Sequence, residues 1–170
     1  VPDTATLAHG YVNLSAIYMD TQQPNEALVP LEKAIALMRA TGNPRIRNAL
    51  GQLGMIRHVK GDHELALQFM EEALGMCLKL GDHQTASRLL NDIGNVQREM
   101  GLYPEALASF AQAATLTHSS YTLIQNKIAV GITYTMMGDP AKAIPLLKEA
   151  AEMAKADDDL ADEAAAYKEL

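Results

Sequence analysis

Apolar and polar positions along this 170-residue chain alternate every three to four residues, the spacing that gathers one kind of side chain on one face of a helix. Four segments repeat the pattern: NLSAIYMDTQQPNEALVPLEKAIAL, QLGMIRHVKGDHELALQFMEEALGM, DIGNVQREMGLYPEALASFAQAATL and AVGITYTMMGDPAKAIPLLKEAAEM. In each, an apolar residue precedes a small one: Leu14-Ser15, Leu53-Gly54, Ile93-Gly94 and Val130-Gly131. Twelve residues on stands an alanine (Ala27, Ala66, Ala106, Ala143), and four further on a large apolar residue (Leu31, Met70, Phe110, Leu147). Three beyond comes a second alanine (Ala34, Ala73, Ala113, Ala150). The first alanines recur at steps of 39, 40 and 37 residues.

Punctuation divides each segment in two. Gly61, Gly101 and Gly138 follow helical runs, where glycine accepts the left-handed backbone that ends a helix, and Pro140 then suits a first turn. Gly42-Asn43-Pro44 and Gly81-Asp82 separate successive segments, while the first segment turns on Gln22-Gln23-Pro24 without glycine. The spacing predicts nine helices, roughly 4–20, 24–40, 44–60, 63–79, 83–100, 103–117, 120–137, 140–155 and 158–170. The repeats run approximately over 1–42, 43–82, 83–119 and 120–157, with 158–170 as the first helix of a fifth unit. Small residues allow antiparallel helices to approach to the short end of about 8–10 Å. Ser15, Gly54, Gly94 and Gly131 should therefore meet Ala27, Ala66, Ala106 and Ala143, and the second alanines should admit the following hairpin. No such hairpin buries its apolar face alone, so stability comes from stacking neighbours.

These residues resemble the tetratricopeptide repeat (TPR) family over nearly the whole chain. The period near 40, against the usual 34, is similar to the long-repeat subgroup of Pins/LGN-type regulators, kinesin light chains and bacterial MalT-like modules. The run Asn91-Asp92-Ile93-Gly94-Asn95 resembles the asparagine-bearing first helix of the Pins/LGN type. The slot usually held by tyrosine is Tyr18 and Tyr134 here, but Arg57 and Gln97 in the middle. The resemblance implies an all-α, right-handed α-α superhelix, a TPR solenoid with no strands. It also implies a concave face lined by the first helix of each hairpin, where partners bind.

Composition narrows the function. Charged residues are 21% of the chain and the net charge is −7, with no basic stripe of the kind that displaces counterions from nucleic acid. No apolar run nears the roughly 20 residues a bilayer requires, and no basic-then-apolar leader opens the chain. The single cysteine, Cys77, reads as a small core hydrophobe. Together these point to a reducing, cytoplasmic setting without nucleic acid or membrane as partner. A start almost inside a helical pattern, without an initiator Met, reads as a piece of a longer protein.

Candidate chemistry is thin. His9, His58, His63, His83 and His118 have no partner four residues away among themselves and no matching Asp, Glu or Cys set; His63 and His83 sit in Gly-Asp-His turns, where Asp caps the next helix, and no metal site is expected. Ser119 and Ser120 lack a nucleophile elbow, and no glycine-rich phosphate loop is present. Asn13-Leu14-Ser15 matches a glycosylation sequon but lies on a predicted packed helix. Neither cofactor nor catalysis is expected.

One polar stripe stands out on the fifth predicted helix. Gln84, Arg88, Asn91, Asn95 and Arg98 recur at steps of 4, 3, 4 and 3, on one face, with no Asp or Glu among them. They match the groove-facing positions of the resemblance. Neighbouring first helices offer Asn48, Gln52 and Met55, then Gln125, Ile128 and Ile132, and the first offers Val12, Asn13, Ala16 and Met19. This set describes a mixed groove: amides for a peptide backbone, arginines for carboxylates, apolar sockets at either end. The expected function is a non-catalytic scaffold binding a protein or peptide segment, acidic where it meets the arginines. The alternative is a peptide-responsive sensor module controlling an attached output domain. A chaperone-tail clamp is disfavoured because 4–20 contains no Lys or Arg. Leu160, Ala164, Tyr167 and Leu170 are expected to pack on 140–155 and to leave an apolar side through which copies self-associate.

Overall fold

The computed structural model describes residues 3–156 and 165–168, and among these it contains helices and no strand. The helices are α1 (Thr4–Asp20), α2 (Pro24–Thr41), α3 (Ile46–Val59), α4 (His63–Leu80), α5 (His83–Glu99), α6 (Tyr103–Leu116), α7 (Ser120–Met136) and α8 (Pro140–Ala156). Residues 165–168 are also helical. The rest of the ninth helix expected over 158–170, including Leu160, Ala164 and Leu170, lies outside the described residues.

Local chemistry accounts for the boundaries. Asp3 Oδ1 accepts from Ala5 N at 2.8 Å, Asp82 Oδ1 from Thr85 N at 3.1 Å and Ser119 Oγ from Thr122 N at 3.4 Å. Each satisfies an amide that a helix start leaves unpaired. Gly42 and Gly81 end α2 and α4 with φ of 64° and 69°. Inside the hairpins Gly61, Gly101 and Gly138 take φ of 82°, 77° and 75°. The first hairpin puts Gln22 at φ 58° in the slot where the others have glycine.

The chain forms two compact units, Val1–Gly81 and Asp82–Leu170. In the first, α1 pairs with α2, α3 pairs with α4, and α2 packs on α3. In the second, α5 pairs with α6, α7 with α8, and α7 rests on both α6 and α5. Leu31, Leu50, Leu53, Ile56 and Met70 are fully buried in the first unit, as are Phe110, Ile124 and Leu147 in the second. Burying each such side chain stabilises the fold by about 1.5–3 kcal/mol.

The small residues meet their sequence expectation at two of the four positions. Ser15 Oγ does reach the first alanine, donating to Ala27 O at 2.8 Å. A Cβ at Gly54 would meet Met70 Cγ at 2.6 Å and Ala66 O at 3.0 Å, but at Gly94 and Gly131 the nearest atoms belong to Phe110 and Leu147. Glycine here makes room for the large side chain sixteen residues on, because that side chain lies across the partner helix. The two departures from tyrosine are also filled. Arg57 pairs with Glu32 at 3.0 Å and Asp62 at 3.2 Å, and Gln97 Oε1 accepts from Ser109 Oγ at 2.7 Å.

Candidate functional site

Helix α5 is sharply two-sided. Ala86, Leu89, Leu90, Ile93 and Val96 are buried, while Gln84 and Arg88 are exposed and Asn91, Asn95 and Arg98 half-buried. The expected stripe therefore exists, but only part of it faces solvent.

Two of its members serve the packing of α5 on α7. Asn126, a buried residue of α7, donates through Nδ2 to Asn91 Oδ1 at 2.7 Å and to Phe110 O at 2.8 Å. Arg98 Nη1 reaches Ala129 O at 3.4 Å. Register with Gly94 and Gly131 puts Asn126 where α5 carries Leu89 and α3 carries Ala49, so a polar brace replaces an apolar contact. Its partners, Asn91 in α5 and the Phe110 carbonyl in α6, are remote in sequence, and no local pattern announces them.

The apolar socket expected beyond α5 is partly taken up by packing. Ile128 is buried, and Ile132 packs with it against Leu147, Ala150, Ala151 and Ala154 of α8 and against Ala166. α7 turns Ile128 inward, where α8 and residue 166 cover it, so it does not line a groove; Ile132 stays partly exposed. Gln125, on the same helix, is half-buried.

Acid is also present beside the stripe. Asp92 follows Arg88 by one turn, and its carboxyl is half-buried. Burial pushes its pKa up from 3.8 to about 6, while the Arg88 guanidinium pulls the other way. The arginine thus has a partial internal partner that the step pattern of the stripe skips.

In the first unit Asn13, Asn48 and Gln52 are all exposed. Asn48, Gln52 and Met55 follow one another at helical spacing on α3, and Met55 is 38% exposed. No helix among the described residues is long and apolar enough to cross a membrane.

Comparison with known proteins agrees with this architecture. The chain resembles BtubC from P. vanneervenii, with a TM-score of 0.85 at 20% identity over 93% of this chain and 67% of that one. It also resembles a Podosopora anserina protein with kinesin-light-chain TPR-like repeats, with a TM-score of 0.77 at 18% identity over 99% and 89%. A third likeness is the Rap conjugation gene regulator of plasmid pLS20, solved with the Phr* peptide, at a TM-score of 0.77 and 19% identity. It covers 94% of this chain, which spans only 44% of the regulator. No curated protein matches the chain in sequence. The tetratricopeptide repeat family model matches residues 3–77, 45–118 and 85–156. With four hairpins in register and that match spanning them, the chain belongs to the tetratricopeptide repeat family.

Proposed function

We propose that the chain is a non-catalytic binding scaffold whose α5 face, around Gln84, Arg88 and Asn95, takes an acidic segment of another protein. The observation that carries this reading is Arg88, an exposed guanidinium between two exposed or half-exposed amides on a chain of net charge −7. Arginine meets a carboxylate at two points, and an amide gives and accepts one hydrogen bond with a peptide backbone. Asn91 and Arg98 extend the same face but spend part of their capacity on α7. Asn13, Asn48, Gln52 and Gln125 are further candidates for contact with the same kind of partner.

The test is selection of random peptides on the purified protein, followed by affinity measurement on Arg88→Ala and Arg98→Ala, singly and together. Selected peptides should be rich in Asp and Glu, and the double variant should lose most of its affinity. Peptides with no acidic bias, or undiminished binding by a correctly folded double variant, would move the site elsewhere. The likeness to the Rap regulator, solved with a peptide, favours a second reading as a sensor module. On that reading a selected peptide slows amide exchange across helices it does not touch; protection confined to α5 rejects it.

A further inference from the structure

Hairpin geometry brings together two histidines that the sequence leaves five apart. His58 lies in the last turn of α3 and His63 opens α4, with Gly61 at φ 82° folding the chain back between them. Their Nδ1 atoms are 3.2 Å apart, and the ring planes cross at 48° with centroids 5.2 Å apart. Both rings are half-buried, so solvent reaches the pair.

We propose that His58 and His63 are the protein ligands of a transition-metal site that clips the α3–α4 turn, with Zn²⁺ or Cu²⁺ as the fitting ion. An imidazole nitrogen binds Zn²⁺ at about 2.0–2.1 Å, and two nitrogens at the observed separation subtend about 100° at such an ion. That angle lies between the right angle of tetragonal copper and the tetrahedral angle of zinc, so the rings need little movement. Imidazole donors suit these ions, whereas Mg²⁺ and Ca²⁺ require oxygen.

The surroundings tolerate a cation. The nearby Arg57 charge is offset by Glu32 and Asp62. His58 sits at the carbonyl end of α3, where the helix dipole favours positive charge, and His63 at the amide end of α4, where it does not, so the two roughly cancel. Without metal, one Nδ1–H donates to the other Nδ1. On binding, that proton leaves Nδ1, for solvent or for the other nitrogen of its ring, and both Nδ1 lone pairs face the ion.

Zn²⁺ titration of chelator-stripped, tag-free protein tests the site, read by calorimetry and by histidine ring ¹⁵N shifts. One ion per chain should bind, with the Nδ1 resonances of His58 and His63 moving together and no response to Mg²⁺. His58→Ala or His63→Ala should each weaken Zn²⁺ by at least about tenfold, the loss typical when a metal site is damaged. A variant lacking His9, His83 and His118 should bind as the wild type does. Undiminished binding in either alanine variant, ligation through Nε2, or shifts confined to the other histidines would overturn the assignment. Should an alanine variant unfold, the wild-type Nδ1 shifts alone decide.

Discussion

At Gly94 an added methyl would lie 2.5 Å from Cε1 and 2.8 Å from Cδ1 of Phe110, a fully buried ring. The ring cannot retreat without displacing its own neighbours, so Gly94→Ala should destabilise by about 1–3 kcal/mol, and Gly94→Leu by more. Gly75, inside α4, has nothing within 4 Å of an added methyl, so Gly75→Ala should stabilise by about 0.5–1 kcal/mol through helix propensity. Urea unfolding of both variants checks the contrast; equal shifts would mean that close packing is not what holds glycine at 94. Asp92 supplies a second residue-scale prediction. Its folded pKa, about 6, lies above the ordinary 3.8, so between these values the folded state holds the proton more tightly. Stability from this group is complete below about pH 4 and is lost as pH rises through 6. Asp92→Asn should therefore gain about 1–3 kcal/mol at pH 7 and nothing near pH 4, measured by denaturant midpoints across that range. Arg88→Ala should raise the Asp92 value further, and so costs more at pH 7 than an ordinary exposed arginine.

At the scale of helices, periodicity outweighed single residues that oppose helix. Pro30 inside α2 and Pro145 inside α8 each remove a backbone donor, yet both helices run on, because tertiary packing of the amphipathic face outweighs the lost bond. Gln22 likewise tolerates a left-handed backbone because the α1–α2 hairpin around it is already fixed by packing, with Ser15 bonded to Ala27 O across it. Docking of α7 on α5 is where polar chemistry enters. Asn126→Ala removes two side-chain hydrogen bonds, to Phe110 O and Asn91 Oδ1, each worth about 0.5–1.5 kcal/mol. A double-mutant cycle with Asn91→Ala should return a coupling of about 0.5–3 kcal/mol, as for residues sharing one network. Strict additivity would mean that the brace contributes nothing beyond its separate ends.

Over the whole molecule, net charge and local charge oppose each other at the proposed binding face. The chain carries −7, so an acidic partner is repelled at long range and, at the proposed face, drawn in near Arg88 and Arg98. Salt screens both effects over about 10 Å at 0.1 M. Wild-type affinity for a selected acidic peptide should fall as salt rises, since the short-range pairs dominate once contact is made. In the Arg88→Ala, Arg98→Ala protein repulsion outweighs the attraction left at this face, and the slope should change sign. Titrations from low to high salt decide it; parallel slopes for the two proteins would exclude the arginines as the source of attraction.

Helix boundaries and hairpin register were legible in the residues themselves because both are local. Glycine at a left-handed position, aspartate or serine before a first turn and alanine at a fixed step carry their physical reason within a few residues of where they act. The polar stripe on α5 was legible for the same reason, as a period on one helix. What that stripe does depended on residues far away in sequence. Asn126 claims Asn91, burial moves Asp92 toward neutrality, and α8 with Ala166 covers Ile128. The meeting of His58 with His63 needed the turn at Gly61, and the side chain nearest each glycine needed the packing of the paired helix. Periodicity specifies which face of a helix turns inward, but only the packed neighbours decide which atoms it meets there, how dry they are and what charge they keep.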